Sequence, residues 1–313
     1  MANLLIIDAI ADQYKAYLQP KFPGLSITTA RTPAEAGELL NDAQILAVLA
    51  PRLRGDDIEK ARRLEWVQAF TTGVDNLLAF PCLKKETVVT NCRGIHGPQM
   101  SELAVLLMLS LSRGFHRIVK NQERKLYERW PMPLLEKKTV GIFGIGAIGE
   151  EVARKSKAFG MRVIGITSTK RDTEWIDEFY SREELPAAAA ESDFFIVVAP
   201  LSPETEKIVN EKLLSAMKPT GFLINISRGG VVDEEALIAA LKNGQIAGAG
   251  LDVFQMEPLP EESPLWEMEN VIITPHIGGY TDNYIEQVMP IFEENLRRFL
   301  DGEKDNLINT VDR

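Results

Sequence analysis

Short apolar runs recur along the chain at intervals that leave room for one amphipathic helix between neighbours. Leu4–Ile7, Ser26–Thr29, Ile45–Leu49, Trp66–Ala69 and Val88–Thr90 form a first series. Between them PAEAGELL (33–40) and DDIEKARR (56–63) space their apolar residues as helices do. A second series comprises Thr139–Phe143, Arg162–Ile166, Phe194–Val198, Gly221–Asn225, Ala247–Leu251 and Val271–Thr274. Strands that alternate with helices predict parallel sheets covered on both faces, so the chain reads as α/β with two doubly wound parallel-sheet domains. At 313 residues it is long enough for two separate cores.

Residues 100–130 lie between the two series, apolar nearly all round in the first half and charged in the second. Such a helix needs partners on most sides, either within its own domain or from a second subunit. A homodimer through the long helix 100–125 is the expected assembly. The closing segment TDNYIEQVMPIFEENLRRFLDGE is an amphipathic helix with a proline bend at Pro290. It is expected to return to the first domain. That places residues 1–93 and 282–313 in one discontinuous domain and 94–281 in the other.

Charge and composition exclude several classes of partner. A net charge of −10 disfavours general binding to nucleic acid or to an anionic membrane, although a local basic patch can still serve one small anion. Cys82 and Cys92 lack metal-like spacing and read as reduced thiols; no metal site is expected. The N-terminal apolar run has no basic flank and reads as a strand rather than a signal peptide. Leu103–Leu111 is too short to span a bilayer. A cytoplasmic location is expected.

The first candidate site is the run Gly144-Ile145-Gly146-Ala147-Ile148-Gly149. It follows a strand and opens a helix that ends at Gly160, the context of a dinucleotide-binding turn. Gly144 permits the tight turn, Gly146 lets the backbone approach a pyrophosphate, and Gly149 allows close packing of helix on strand. In such units the second strand usually ends in an acid that holds the ribose 2′-hydroxyl of NAD. Here it ends in Thr167, followed by Ser168, Thr169, Lys170 and Arg171. Hydroxyls and cations in place of a carboxylate suit a 2′-phosphate, so NADP(H) is the preferred cofactor expected, with NAD(H) possible.

Three later segments each set polar residues just past an apolar strand: INISRGGVVDEEAL (224–237), GAGLDVFQMEPLP (248–260) and VIITPHIGGYT (271–281). The carboxyl ends of parallel strands line one ligand crevice. Arg228, Glu257 and His276 can therefore converge although they are far apart in sequence.

With these residues the chain resembles the D-isomer-specific 2-hydroxyacid dehydrogenases. The resemblance covers nearly the whole chain and rests on GIHGPQMSE, the glycine loop, APLSPET, INISRGGVVDEEAL, AGLDVFQMEP and TPHIGG, in that order. It implies a Rossmann cofactor domain and a flavodoxin-like substrate domain, with Arg228, Glu257 and His276 as the catalytic triad. Histidine gives and takes protons around neutrality. Glu257 would orient the imidazole, and Arg228 would hold the substrate carboxylate through its planar fork. The resemblance further implies that Pro200, Leu201, Thr205, Ile226, Ser227, Asp252 and Gly278 line the cofactor, together with Arg228 and His276. It assigns the backbone N–H groups of Thr72, Gly73 and Val74 to the substrate, and places Arg52 in a loop that touches its distal group. His96 and Trp66 read as packing or hinge residues.

The expected reaction is reduction of a small 2-keto acid, glyoxylate or hydroxypyruvate, to the D-2-hydroxy acid. Closure of a cleft would exclude water and complete the triad. Relatives acting on formate carry Gln where this chain has Glu257. With no regulatory domain after Arg313, the longer serine-regulated phosphoglycerate dehydrogenases are disfavoured. Two alternatives stay open: NAD-dependent oxidation of a D-2-hydroxy acid, and a non-catalytic dinucleotide-sensing protein.

Overall fold

Runs of branched and aromatic residues form strands here because both faces of each central sheet are covered, so nearly every position of the inner strands is buried. The computed structural model describes residues 2–169 and 173–312. The chain forms two units: one runs to Ile95 and resumes at Thr281, and the other is His96–Tyr280.

The first unit holds β1 (Asn3–Ile7), β2 (Ser26–Ala30), β3 (Ile45–Val48), β4 (Trp66–Ala69) and β5 (Val88–Thr90), all parallel, in the order β2-β1-β3-β4-β5. This is the flavodoxin-like order, as expected. Side chains alternate between two cores: Leu4 and Ile6 face one, Leu5 and Ile7 the other. The helix Tyr284–Leu300 covers the first core with Val288, Met289, Phe292, Leu296 and Phe299. Phe292 packs edge-on against Phe70 with ring centres 5.5 Å apart, and Phe299 stacks on Trp66 at 5.2 Å. Truncating so buried a phenylalanine as Phe292 costs about 3–5 kcal/mol. Pro290 lies inside this helix without ending it.

The second unit contains β6 (Thr139–Phe143), β7 (Arg162–Ile166), β8 (Glu178–Tyr180), β9 (Phe194–Val197), β10 (Phe222–Asn225), β11 (Gly248–Leu251) and β12 (Val271–Ile273). They form one parallel sheet ordered β12-β11-β10-β9-β6-β7-β8. Strand order reverses between β6 and β9, and a ligand crevice opens at the carboxyl ends of such a pair. The edge strand β8 has no counterpart in the expected series. It is three residues long and partly exposed, so it carries little apolar signal.

The expected single helix over 100–130 is instead two, Gly97–Arg113 and Phe115–Glu123. The break is Gly114, whose left-handed backbone (φ 62°) lets its N–H cap the Ser110 and Leu111 carbonyls. The first helix buries Met100, Leu103, Ala104, Leu107, Met108 and Leu111, but Leu106 is 55% exposed. Leu107 reaches the sheet because β11 offers Gly250 there; a Cβ on that glycine would lie 3.2 Å from the Leu107 side chain. Among the described residues no helix is long and apolar enough to cross a membrane.

Candidate active site

The glycine run sits at the strand reversal. Gly144 follows β6 with φ 105°, and a Cβ there would fall 2.5 Å from the backbone nitrogen of Ala199, just past β9. Gly149 lies under this turn, where a Cβ would come within 2.1 Å of the Gly144 carbonyl oxygen. Gly146 differs: nothing lies within 4 Å of the position its Cβ would take. It precedes the helix Ala147–Ala158, whose exposed Ala147 and half-buried Ile148 open the first turn with no side-chain cap. Free N–H groups beside an open backbone form a cradle that fits a dinucleotide pyrophosphate.

At the end of β7, Thr167 donates its N–H to the Tyr180 carbonyl of β8 at 3.2 Å. Its hydroxyl donates to the Thr169 carbonyl (3.1 Å) and accepts the Thr169 N–H (3.2 Å). Thr167 thus shapes the turn that leaves Ser168 and Thr169 exposed. Lys170 and Arg171 lie outside the described residues.

Glu257 and His276, on the loops after β11 and β12, are in contact. Glu257 Oε2 is 2.7 Å from His276 Nδ1, and Oε1 accepts the Phe254 N–H at 3.0 Å. Burial works to raise the Glu257 pKa. The hydrogen bonds from His276 and Phe254, with the charges of His276 and Arg228, outweigh it and hold the carboxyl below its ordinary range. A carboxylate at Nδ1 fixes the tautomer with hydrogen on that nitrogen, leaving Nε2 to exchange a proton. His276 has a left-handed backbone, φ 52°, an uncommon conformation for a residue with a side chain. Its N–H is held by the carbonyls of Asp252 (2.9 Å) and Thr274 (3.0 Å).

Asp252, 1% exposed, braces the same loop. Its Oδ1 accepts from the Thr274 hydroxyl (2.5 Å) and the Ile277 N–H (3.1 Å), and Oδ2 from the Gly278 N–H (3.0 Å). Gly278 is packed so tightly that a Cβ would sit 2.6 Å from Leu103 and 2.9 Å from Asp252.

Arg228 follows β10, and its Nη1 donates to the Ser227 carbonyl at 2.7 Å. Ile226 is buried in the core below, and Ser227 is 8% exposed. In the loop after β9, Pro200 is exposed and Leu201 half-buried against Gly230. The Thr205 hydroxyl is engaged inside that loop, donating to the Pro200 carbonyl (2.6 Å) and accepting the Ser202 N–H (2.8 Å). Among the described residues no group of three or more His, Cys, Asp or Glu could hold a metal ion.

In the first unit, Arg52 lies in a short turn after β3, 3.9 Å from the Asp8 carboxylate. Thr72, Gly73 and Val74 follow β4; the Thr71 hydroxyl donates to the Gly73 carbonyl at 2.7 Å. Asn76 ties this turn to the Arg52 turn by donating to the Ala50 carbonyl at 2.6 Å.

Sequence reasoning did not single out the residues that join the Arg228 and Glu257 loops. Gly229 abuts Phe254, and a Cβ on it would lie 1.9 Å from the Phe254 carbonyl carbon. Gln255 donates its N–H to Glu234 (3.1 Å) and its amide to the Val232 carbonyl (3.1 Å). Asn225 folds the Arg228 turn around its carboxamide. The legible signal for the last was an amide at a strand end just before Ser-Arg-Gly-Gly.

A seven-stranded parallel sheet with a glycine cradle at its reversal defines a dinucleotide-binding domain. Residues 105–278 match the NAD binding domain of the D-isomer specific 2-hydroxyacid dehydrogenases. The chain is 37% identical over 274 residues to a glyoxylate reductase of Thermococcus gammatolerans, covering 83% of this chain and 80% of that one. It belongs to the D-isomer specific 2-hydroxyacid dehydrogenase family. A solved family protein from Aeromonas salmonicida superposes with a TM-score of 0.91 at 34% identity, over 99% of both chains. An NADPH-dependent glyoxylate/hydroxypyruvate reductase of Sinorhizobium meliloti, solved with NADP and sulfate, gives 0.84 at 28% identity, over 100% of this chain and 98% of that one.

Proposed function

We propose that this chain reduces a small 2-keto acid, of the size of glyoxylate or hydroxypyruvate, to the D-2-hydroxy acid with NADPH as preferred reductant. The observation that carries the reading is the 2.7 Å contact of Glu257 with His276 Nδ1. It points Nδ1–H at the carboxylate and leaves Nε2 to carry the second proton of the imidazolium, the form of the ring that delivers one. A bound reduced nicotinamide supplies a hydride to a carbonyl carbon. His276 Nε2 gives the proton that the carbonyl oxygen needs as its charge grows, and the Glu257 carboxylate stabilises the ring as it changes charge. Arg228 binds the substrate carboxylate in a bidentate fashion and polarises the carbonyl. In the first unit this reading assigns the backbone N–H groups of Thr72, Gly73 and Val74, and Arg52, to substrate binding.

The NADPH preference rests on what the end of β7 lacks. No carboxylate stands at Thr167 to repel a 2′-phosphate, and the exposed Ser168 and Thr169 offer hydroxyl donors. Lys170 and Arg171 are assigned the charge. The Sinorhizobium meliloti relative, solved with NADP, supports the same choice.

A homodimer through the long helices is part of this reading. Leu106, Phe115, Val119, Leu126, Tyr127 and Leu134 are exposed, Tyr127 by 88%. So many apolar side chains on one helical region and the segment after it are what a subunit interface covers.

The test is turnover of a 2-keto acid panel by the purified chain with NADPH and NADH in parallel, with mass measured by light scattering. NADPH should give a kcat/KM about tenfold or more above NADH, a difference of ~1.4 kcal/mol. Absence of turnover with every acid would favour the sensor, and a monomer in solution would remove the dimer.

A further inference from the structure

We propose that Asn225 is the positioning residue of Arg228, a role that rests on the reading of Arg228 as the carboxylate holder. Asn225 closes β10, and its backbone remains in the sheet: its carbonyl accepts the Asp252 N–H at 3.0 Å. Its side chain, 1% exposed, is engaged entirely by the next three residues. Oδ1 accepts the Ser227 N–H at 3.1 Å and the Ser227 hydroxyl at 3.2 Å. Nδ2 donates to the Arg228 carbonyl at 3.0 Å.

The Arg228 guanidinium is tied to the same turn, because Nη1 donates to the Ser227 carbonyl at 2.7 Å. Movement of the Ser227–Arg228 peptide therefore moves both the root and the head of the arginine. Gly229 fixes the far end against Phe254, so the turn is held at two points with Arg228 between them.

The chemistry demands a carboxamide. One planar group must accept two hydrogen bonds on one side and donate one on the other. An ionised aspartate accepts but cannot donate, leucine does neither, and glutamine is a methylene too long. Water has no ready access to replace the missing donor, since Asn225 and Ser227 are both buried. An arginine held only at its Cα would sample many rotamers and lose the alignment on which bidentate binding depends.

The test combines two variants with a double-mutant cycle. Asn225→Asp keeps the size and the acceptors but loses the donor; Asn225→Ser, without adding charge, leaves one shorter hydroxyl that cannot reach both the Ser227 groups and the Arg228 carbonyl. Each should lower kcat/KM for glyoxylate about tenfold, chiefly through KM for the acid, with the NADPH dissociation constant within about threefold of the parent. In an Arg228→Lys background, Asn225→Ser should cost less than about threefold, because the group it positions is already gone. Equal losses in both backgrounds, or an unchanged KM for the acid in a folded variant, overturn the role. So does loss of a cooperative melt in both variants, which would assign Asn225 to folding. Should only Asn225→Asp fail to fold, Asn225→Ser carries the cycle. An inactive parent chain removes the reading of Arg228, and this role with it; additive losses in an active parent remove this role alone.

Discussion

Gly229 meets Phe254 backbone to backbone, with no room between the loops that carry Arg228 and Glu257: a Cβ on Gly229 would fall 2.0 Å from the Phe254 carbonyl oxygen. The clash is with peptide atoms, so no side-chain rotation relieves it. Gly229→Ala must part the two loops. Overpacking of this kind costs about 1–3 kcal/mol of stability. The kcat/KM should fall further than the melt suggests, because the separation acts directly on the proposed catalytic groups. Urea unfolding together with steady-state kinetics checks this; a variant with parental kcat/KM would show that the loops need no fixed spacing.

The glycines of the cofactor turn should respond differently from one another. Gly144→Ala meets the Ala199 backbone at 2.5 Å and a φ of 105°, so the variant should fail to fold or melt well below the parent. At Gly146 the added methyl enters open space, and the fold should be untouched. If the pyrophosphate lies there, the same methyl occupies its place, and the dissociation constant for NADPH should rise about tenfold or more. Fluorescence titration of a folded Gly146→Ala protein decides. Unchanged affinity would move the pyrophosphate away from this turn.

Much of this was readable before the structure. Strand positions in both sheets followed from apolar runs because parallel strands are buried on both faces, which makes their signal strong and local. Strand β8 escaped, since an exposed three-residue edge strand such as Glu178–Tyr180 buries too little to leave a pattern. The break at Gly114 escaped because its neighbours keep helical spacing on either side, and only the backbone twist at one glycine separates them. Arg228, Glu257 and His276 stood out as charged or titratable groups just past strands. What positions them did not: Asp252 and Gly229 work through contacts with segments distant in sequence, which no spacing rule reveals, and the strand-end amide of Asn225 shows its role only once its bonds to the Arg228 turn are seen.

Thr167 offers a direct test of cofactor choice. Its hydroxyl accepts the Thr169 N–H at 3.2 Å, and an aspartate oxygen there could accept the same bond. Thr167→Asp keeps that bond, loses the donation to the Thr169 carbonyl, and adds a charge that repels a 2′-phosphate and suits a ribose hydroxyl. The NADPH-to-NADH ratio of kcat/KM should fall about tenfold or more, a shift of ~1.4 kcal/mol. A ratio that does not move would return the end of β7 to an ordinary surface turn.

Glu257→Gln removes the carboxylate at His276 Nδ1 while preserving shape. Loss of the group that stabilises the charged ring should lower kcat by roughly 10²-fold. The pH dependence of stability has a definite sign. The folded-state pKa of Glu257 lies below its ordinary value of 4.5, so its contribution is complete above that value. It is lost as pH falls from there through the depressed folded value. Any stability advantage of the parent over Glu257→Gln should hold at neutral pH and shrink only in acid below 4.5. An advantage that shrank instead between neutrality and 4.5 would mean that another group sets it.

His96 should set an acid limit on the stability of the cofactor unit. It precedes the helix Gly97–Arg113 and is 8% exposed. Burial, and then the Arg228 charge, push its pKa from 6.5 down to about 4. A helix N-terminus also disfavours positive charge. In the unfolded chain the imidazole protonates near 6.5, while in the folded chain it stays neutral until about 4. Between those values the unfolded state binds more protons, so stability falls as pH is lowered through the window and levels off beneath it. The gap between the two pKa values corresponds to a loss on the order of 3 kcal/mol. His96→Gln has no proton to bind and should lack this part of the acid sensitivity, whatever its stability at neutral pH. Unfolding free energies of both proteins, measured in urea at several pH values across the window, give the comparison. The parent should lose more stability than the variant from 6.5 to 4. Parallel profiles would mean that the imidazole is already protonated, or reaches solvent, in the folded protein.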